Sequence, residues 1–410
     1  MALIKPFPCV RPAEGMADKI AALPYDVYDR NEAKENVLGD ENTFLRIDRP
    51  ETQFPDEQDM YAPEVYQKAA QLLEADINAG KYIRDEKRTY YVYELTMDGR
   101  TQTGITVAAS VDDYLNGVIK RHENTLAAKE QDRIRHIDTL SAQTGPIFLA
   151  YREDPVILEA VARAKQQQAL YDFTADDGIR HRVFQITSEE DTKAIQEAFA
   201  RMDGIYIADG HHRAASAVKV ALKRREEDPD YTGEEEFNFF LSVLFPDKEL
   251  KILDYNRVVK DLNGMEEESF LCKMKELFEV SELEGDPHPA HKGEFSMYLG
   301  GKWYKCCVRP EDQSEDPVKG LDVSILQDVL LGPVLGITDP KNDPRIAFVG
   351  GIRGLGELER RCSLDAKAAF AMYPTDIQEL LSVADAGLLM PPKSTWFEPK
   401  LRSGLFIHEF

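Results

Sequence analysis

Apolar positions in this chain recur at two spacings, one helical and one strand-like, and their order along the sequence predicts a mixed α/β protein. From 62 to 79 they fall on one helical face (Val65, Ala69, Leu72, Leu73, Ile77), and Gly80 ends the run. Tyr90 to Leu95 and Gly104 to Ala108 have strand character about a turn at Met97-Asp98-Gly99-Arg100. A helix is expected over 111–119 and a charged one over 125–139, then a buried strand over 146–151 and a helix over 155–169. The next stretch is the most informative. Strand 182–186 leads to helix 189–202, and the short apolar strand Ile205-Tyr206-Ile207-Ala208 runs straight into Asp209-Gly210. An Ala-rich helix follows to Arg225, then a strongly apolar strand over 237–246 and a further apolar stretch, Leu250 to Leu253.

Past residue 260 the order changes: helix 268–278, strands 294–299 and 302–308, helix 322–331, and the apolar Ile346-Ala347-Phe348-Val349. A boundary near 260 therefore divides a core domain, 1–260, from a smaller α+β domain, 261–410. The acidic stretch Asp230 to Glu236 has the composition of a solvated loop.

Composition narrows the partners. Fifty Lys and Arg against 74 Asp and Glu give a formal charge of −24, which repels a polyanion, so no nucleic-acid partner is expected. A small anion in a local pocket remains compatible with that charge. No apolar run is long enough for a membrane span, and the start, Met1-Ala2-Leu3-Ile4-Lys5-Pro6, lacks signal-peptide character. Five scattered cysteines (Cys9, Cys272, Cys306, Cys307, Cys362) have neither disulfide-framework nor zinc spacing. A cytoplasmic protein with no membrane partner is the expectation.

The chemistry concentrates in Asp209-Gly210-His211-His212-Arg213. A strand that ends where a helix begins leaves backbone N–H groups pointing outward, and the helix dipole favours an anion there. Gly210 lets a ligand approach the backbone, and His211, His212 and Arg213 add donors, Arg213 as a bidentate fork. The dipole also disfavours imidazolium, so both histidines should be neutral without a ligand. Asp209 would repel phosphate; capping the helix or holding Mg2+ suits it better.

A second cluster is Arg121-His122-Glu123-Asn124-Thr125, followed by Lys129, Asp132 and Arg133. His122 or Glu123 has the chemistry of a general base, and Glu123 or Asn124 that of a metal ligand on phosphate. The competing reading is a charged helix start capped by Asn124 or Thr125. Three weaker segments remain. Val349 to Gly356 is Gly-rich without a Walker or dinucleotide pattern, and reads as a tight turn with Arg353 available to an anion. Met390 to Phe397 reads as an extended, Pro-stiffened segment, either closing over a pocket or, more simply, a packed tail, and Pro24-Tyr25-Asp26-Val27 as a turn whose Asp26 either faces the same pocket or organises the turn.

Several of these stretches carry a resemblance. LPYDV (23–27), RHENT (121–125), KEQDRIRHIDTL (129–140), TGPIFLAY (144–151), ADGHHRAASA (208–217) and MPPKSTWFEPKLRSGLFI (390–407) resemble, from end to end, a bacterial family of unknown function numbered 1015, often labelled SpoOJ/ParA/ParB/RepB-like. The DGHHR segment is similar to the phosphate-binding box of the ParB/sulfiredoxin-like fold. That resemblance implies a nucleotide-binding core of this kind, with Gly210, His211, His212, Arg213 and Arg257 on the phosphates of ATP or ADP. It also implies kinship with free-serine kinases, which use an acidic residue as base; Glu123 is the choice made on chemistry. Sulfiredoxin's catalytic cysteine is replaced by His211, which excludes sulfinic-acid reduction, and the basic DNA-binding domain of ParB proteins has no counterpart. Where many members have Pro-Thr-His-Arg, this chain has Asp254-Tyr255-Asn256-Arg257.

The expected function is a nucleotide-dependent, serine-kinase-like phosphotransferase acting on a small molecule. Catalysis falls to Glu123, His122 and Asp209, phosphate binding to Gly210, His211, His212, Arg213 and Arg257, and Mg2+ to Asp209 and Asn124. The alternatives are a non-catalytic nucleotide-binding regulator and a metal-dependent phosphohydrolase.

Overall fold

The computed structural model describes all 410 residues, which divide into two compact units: Met1–Leu250 with Pro399–Phe410, and Lys251–Glu398. The division falls ten residues before the expected boundary near 260, and the last twelve residues return to the first unit instead of finishing the second. They return because Ile407–Glu409 is a strand paired on both sides, with Cys9–Pro12 and with Ala142–Gln143, in a four-stranded sheet that Tyr82–Arg84 completes.

The first unit is built on a nine-stranded mixed sheet. In chain order its parts are β1 (Ile4–Lys5), helix α1 (Pro63–Asn78), β2 (Tyr90–Met97), β3 (Arg100–Ser110), α2 (Val111–Leu115), β4 (Ile119–Lys120), α3 (Ala127–Leu140), β5 (Ile147–Tyr151), α4 (Pro155–Ala164), β6 (Tyr171–Thr174), β7 (Arg180–Ile186), α5 (Glu189–Ala200), β8 (Ile205–Asp209), α6 (His211–Glu227) and β9 (Phe239–Pro246). The strands lie in the order β4-β8-β5-β9-β3-β2-β7-β6, with β1 beside β3. Asp98 (φ 52°) and Gly99 (φ 77°) make the left-handed turn that closes the β2–β3 hairpin. β9 runs parallel to β5 and antiparallel to β3, so all eight of its residues are buried. Such central strands read as unbroken apolar runs. Phe240, Leu244, Ile207, Leu149 and Val107 join Ala214, Ala217 and Val218 of α6 in one core, which fixes that helix against the sheet.

An expected element of this unit differs. The helix over 111–119 stops at Leu115, Gly117 turns left-handed (φ 76°), and Ile119–Lys120 is a strand. Gly117 adopts that conformation without strain and ends the helix. The correction brings residues 121–126 to the site described below.

The second unit holds a six-stranded sheet. Its elements are β10 (Tyr255–Val259), α7 (Glu267–Leu277), β11 (Glu279–Glu282), β12 (Glu294–Leu299), β13 (Lys302–Cys307), α8 (Asp322–Leu326), β14 (Ile346–Gly350), α9 (Leu355–Leu364), β15 (Ala368–Met372) and α10 (Ile377–Asp385). The strand order is β11-β13-β12-β15-β10-β14, every neighbouring pair antiparallel. The expected helix over 322–331 is α-helical to Leu326 and then widens into a π turn, Gln327–Leu331. The molecule is thus a mixed α/β protein with a second domain. No helix is long and apolar enough to cross a membrane.

Candidate functional site

The site follows from one parallel strand pair. β4 and β8 run side by side in the same direction, Ile119 opposite Ile205 and Lys120 opposite Tyr206. Parallel neighbours release their chains at the same end, so segments 121–126 and 209–213 emerge together. Side-chain contacts confirm the meeting. The rings of His122 and His211 stand edge to face, centroids 4.5 Å apart, and the Leu126 N–H donates to His212 Nε2 at 2.9 Å.

Gly210 joins β8 to α6 with φ 92° and ψ 29°, a left-handed turn that favours glycine, and no side chain caps the helix. The expected cap, Asp209, sits one residue too early. Its Oδ1 accepts from the Gly210 N–H at 2.7 Å and its Oδ2 pairs with Lys400 Nζ at 2.9 Å. Burial raises the pKa of this carboxyl, but the charges of Lys400 and Arg213 and the two hydrogen bonds outweigh it and hold the group well below the ordinary carboxylate range. Asp209 therefore braces the turn as a fixed anion.

Arg213, in the first turn of α6, folds back over that turn. Its Nη1 donates to the Pro146 carbonyl at 2.5 Å, while Nε and Nη2 lie 3.1 and 3.2 Å from where a Cβ on Gly210 would stand. A Cβ on Gly145 would come 3.8 Å from Nη1 and 3.1 Å from the Ser403 hydroxyl. The two glycines thus make room for a guanidinium whose Nε–Nη2 edge covers the start of an uncapped helix. That edge and the first-turn amides are the donor geometry an anion needs.

The buried histidines are neutral. His211 is 5% exposed and His122 2%, and burial is the main force lowering both pKa values, His122 to about 4. The neighbouring His122 further disfavours a charge on His211. The expectation of neutral rings stands for His211, with burial as its leading cause where the helix dipole was expected. Nε2 of His211 has no hydrogen-bond partner. At 2% exposure His122 packs behind His211, where it shapes the site without reaching a solute.

Two further expected residues lie on the 121–126 segment. Glu123 is half-buried on the segment that meets α6, and Asn124 is exposed. Neither Asn124 nor Thr125 caps α3: the cap position is Leu126, and the Thr125 hydroxyl bonds the Glu130 carboxylate, which also pairs with Lys219. Magnesium held by side chains does not fit. Both Asp209 oxygens are engaged, and no group of three or more His, Cys, Asp or Glu has metal-binding geometry.

Arg257 belongs to the second unit, on β10. It is 3% exposed, bonded to the carbonyls of Tyr255 and Lys393, and burial lowers its pKa to about 10. Its guanidinium supports the fold of that unit. The Gly-rich turn after β14 is tight because the Asp254 side chain packs on Gly351, and in the 390–397 segment Trp396 covers Gly350 while Trp396–Phe397 pairs with Ile252–Leu253.

Sequence reasoning did not bring Tyr25, Arg133 and the groups beside them to Arg213, whose surroundings they complete. A cavity of about 30 Å³, room for one or two waters, is lined by Tyr25, Arg133, Thr144, Gly145, Arg213 and Ser403 among others. Each belongs to one of the stretches that carried the resemblance, and that shared membership was the available signal.

A family model described as "Protein of unknown function (DUF1015)" matches residues 4–324. The chain belongs to this family. No curated protein matches it. Among solved structures, this DUF1015 chain is similar to C-terminally truncated SbnI from Staphylococcus aureus, with 10% identity, TM-score 0.40, and coverage of 73% of this chain and 85% of that one. A conserved hypothetical protein from Pyrococcus furiosus shows 16% identity and TM-score 0.35 over 74% and 94% of the two chains. A free serine kinase in complex with AMP shows 16% identity and TM-score 0.35 over 74% and 92%.

Proposed function

We propose that this DUF1015 protein is a nucleotide-dependent phosphotransferase that binds phosphate at the start of α6 and phosphorylates a small hydroxyl compound. One observation carries the reading: the Nε–Nη2 edge of Arg213 lies over Gly210 at a helix start that no side chain caps. Phosphoryl transfer asks a protein mainly for positioned cations and dipoles, and this arrangement supplies them. Arg213, the first-turn amides and His212 would hold the phosphates of ATP or ADP. Asp209, fixed by Lys400, keeps the Gly210 turn in place.

Glu123 is the base of this reading. The acceptor hydroxyl gives its proton to the Glu123 carboxylate, its oxygen bonds the terminal phosphorus, and the bridging P–O bond breaks to release the nucleotide one phosphate shorter. A free serine-like hydroxyl is the first acceptor to try. No step is assigned to a protein-held magnesium, since Asp209 is already paired.

The test is thermal unfolding with ATP, ADP, CTP and inorganic phosphate, for the wild type and Arg213→Ala. A ligand bound only to the folded state at a hundredfold excess over Kd adds about 2.7 kcal/mol. A shift with one nucleotide that is lost in the variant is expected. Equal shifts in both proteins, or none in either, would overturn the reading.

A further inference from the structure

Beside the Arg213 cavity lies a larger one of about 180 Å³, and the two share Tyr25 and Arg133 as common walls. We propose that this larger cavity binds a small zwitterion with a flat or apolar body, of the size of an aromatic amino acid. As the acceptor side of the phosphate site, which rests on the reading above, the cavity would take such a zwitterion with a hydroxyl on its body; the binding itself does not rest on that reading.

Tyr25 is the first observation. It is 8% exposed, and its hydroxyl has no hydrogen-bond partner. A buried hydroxyl left unpaired is costly, which points to an atom outside the chain as its partner. The residue is well anchored for such a role. Its ring lies 4.0 Å from the Arg133 guanidinium carbon, and its carbonyl accepts from Arg49 Nη1 at 2.9 Å.

The lining decides the ligand class. Tyr25, Tyr28, Tyr61 and Tyr66 surround the space with Met60 and Pro50, a wall suited to a flat or apolar body. Four of the six charges cancel within the wall. Arg49 pairs with Glu51 at 2.6 Å, Arg133 pairs with Asp132 at 2.8 Å, and the Tyr66 hydroxyl donates to Asp132 at 2.9 Å. The two left over are Asp26 and Lys129, both exposed and opposite in sign. A ligand with an ammonium and a carboxylate answers both, whereas a purely anionic or cationic one leaves a like charge facing it.

Calorimetric titration of the full chain with L-phenylalanine, L-serine, phenethylamine, 3-phenylpropionate and adenosine tests this, using wild type, Asp26→Asn, Lys129→Gln and Arg213→Ala. Saturable binding of L-phenylalanine is expected. Asp26→Asn should weaken it about tenfold together with phenethylamine, and Lys129→Gln about tenfold together with 3-phenylpropionate, the worth of one charged hydrogen bond. Arg213→Ala should bind L-phenylalanine as the wild type does. If the wild type binds L-phenylalanine but no nucleotide, the phosphotransferase reading fails and this site stands. No saturable zwitterion binding, unchanged affinity in both charge variants, or tighter binding of adenosine overturns it. Preference for L-serine over L-phenylalanine overturns the assignment of a flat body.

Discussion

Asp209 Oδ2 and Lys400 Nζ lie 2.9 Å apart although 191 residues separate them in sequence. The pair ties the chain's last segment to the turn that begins α6, and it leaves Asp209 anionic beside an anion site. About a third of the Asp209 side chain is exposed, so solvent screens part of the attraction.

Lys400→Met should therefore cost a moderate amount, about 1–2 kcal/mol at pH 7, less than a fully buried pair would. The folded-state pKa of Asp209 is depressed, so its stabilisation is present above the unfolded value near 3.9 and is lost as pH falls through the folded one. Urea unfolding of both proteins at pH 7 and below pH 4 measures this. The gap should narrow progressively as the pH falls below 4, and a gap that stays constant across that range refutes the electrostatic account.

The buried imidazoles predict a different window. His122 titrates in the folded protein at about 4, below the unfolded value near 6.5. The unfolded chain then binds more protons between those values, so stability falls as pH drops from 6.5. For His122 alone the loss between pH 7.5 and 5 is about 2 kcal/mol. His136, also lowered to about 4, and His181, lowered to about 3, act with the same sign elsewhere in the first unit. The informative quantity is accordingly the difference between wild type and His122→Leu, which should show the shallower decline in urea midpoint. Parallel declines would mean that His122 is protonated or hydrated in the folded state.

The start of α6 was legible in sequence because two short-range signals coincide there, an apolar strand that stops and an Ala-rich helical face that begins. What stood around it was less so. The helical look of Val111 to Leu115 hid the Gly117 break, and with it the strand β4 whose parallel pairing carries His122 to His211. Lys400, Tyr25, Arg133 and Ser403 reach the site by long-range packing, which no local periodicity encodes. Arg257 had the right chemistry and a family precedent, yet the structure gives its donors to two backbone carbonyls of the second unit.

Gly210→Ala tests the backbone half of the site. At φ 92° an L residue is strained by about 1–2 kcal/mol, and its Cβ would press on the Arg213 guanidinium. Both effects act on the same turn. The variant should lose roughly that much stability by urea unfolding and also lose the thermal shift with nucleotide. Retained affinity at reduced stability would separate the turn from the anion site.

Glu123→Gln addresses the chemistry. The substitution keeps the shape of the side chain but removes the charge that would accept the acceptor's proton. General-base contributions run at about 10²–10⁴-fold. If Glu123 is the base, kcat for phosphoryl transfer to the acceptor should fall within that range while the nucleotide-induced thermal shift is preserved, because the phosphate contacts come from Arg213, His212 and the α6 amides. The two readouts together decide between roles. A fall in both would make Glu123 a binding residue. An unchanged kcat would leave the proton to another group, with Asp26, in the wall of the neighbouring cavity, the next carboxylate to replace.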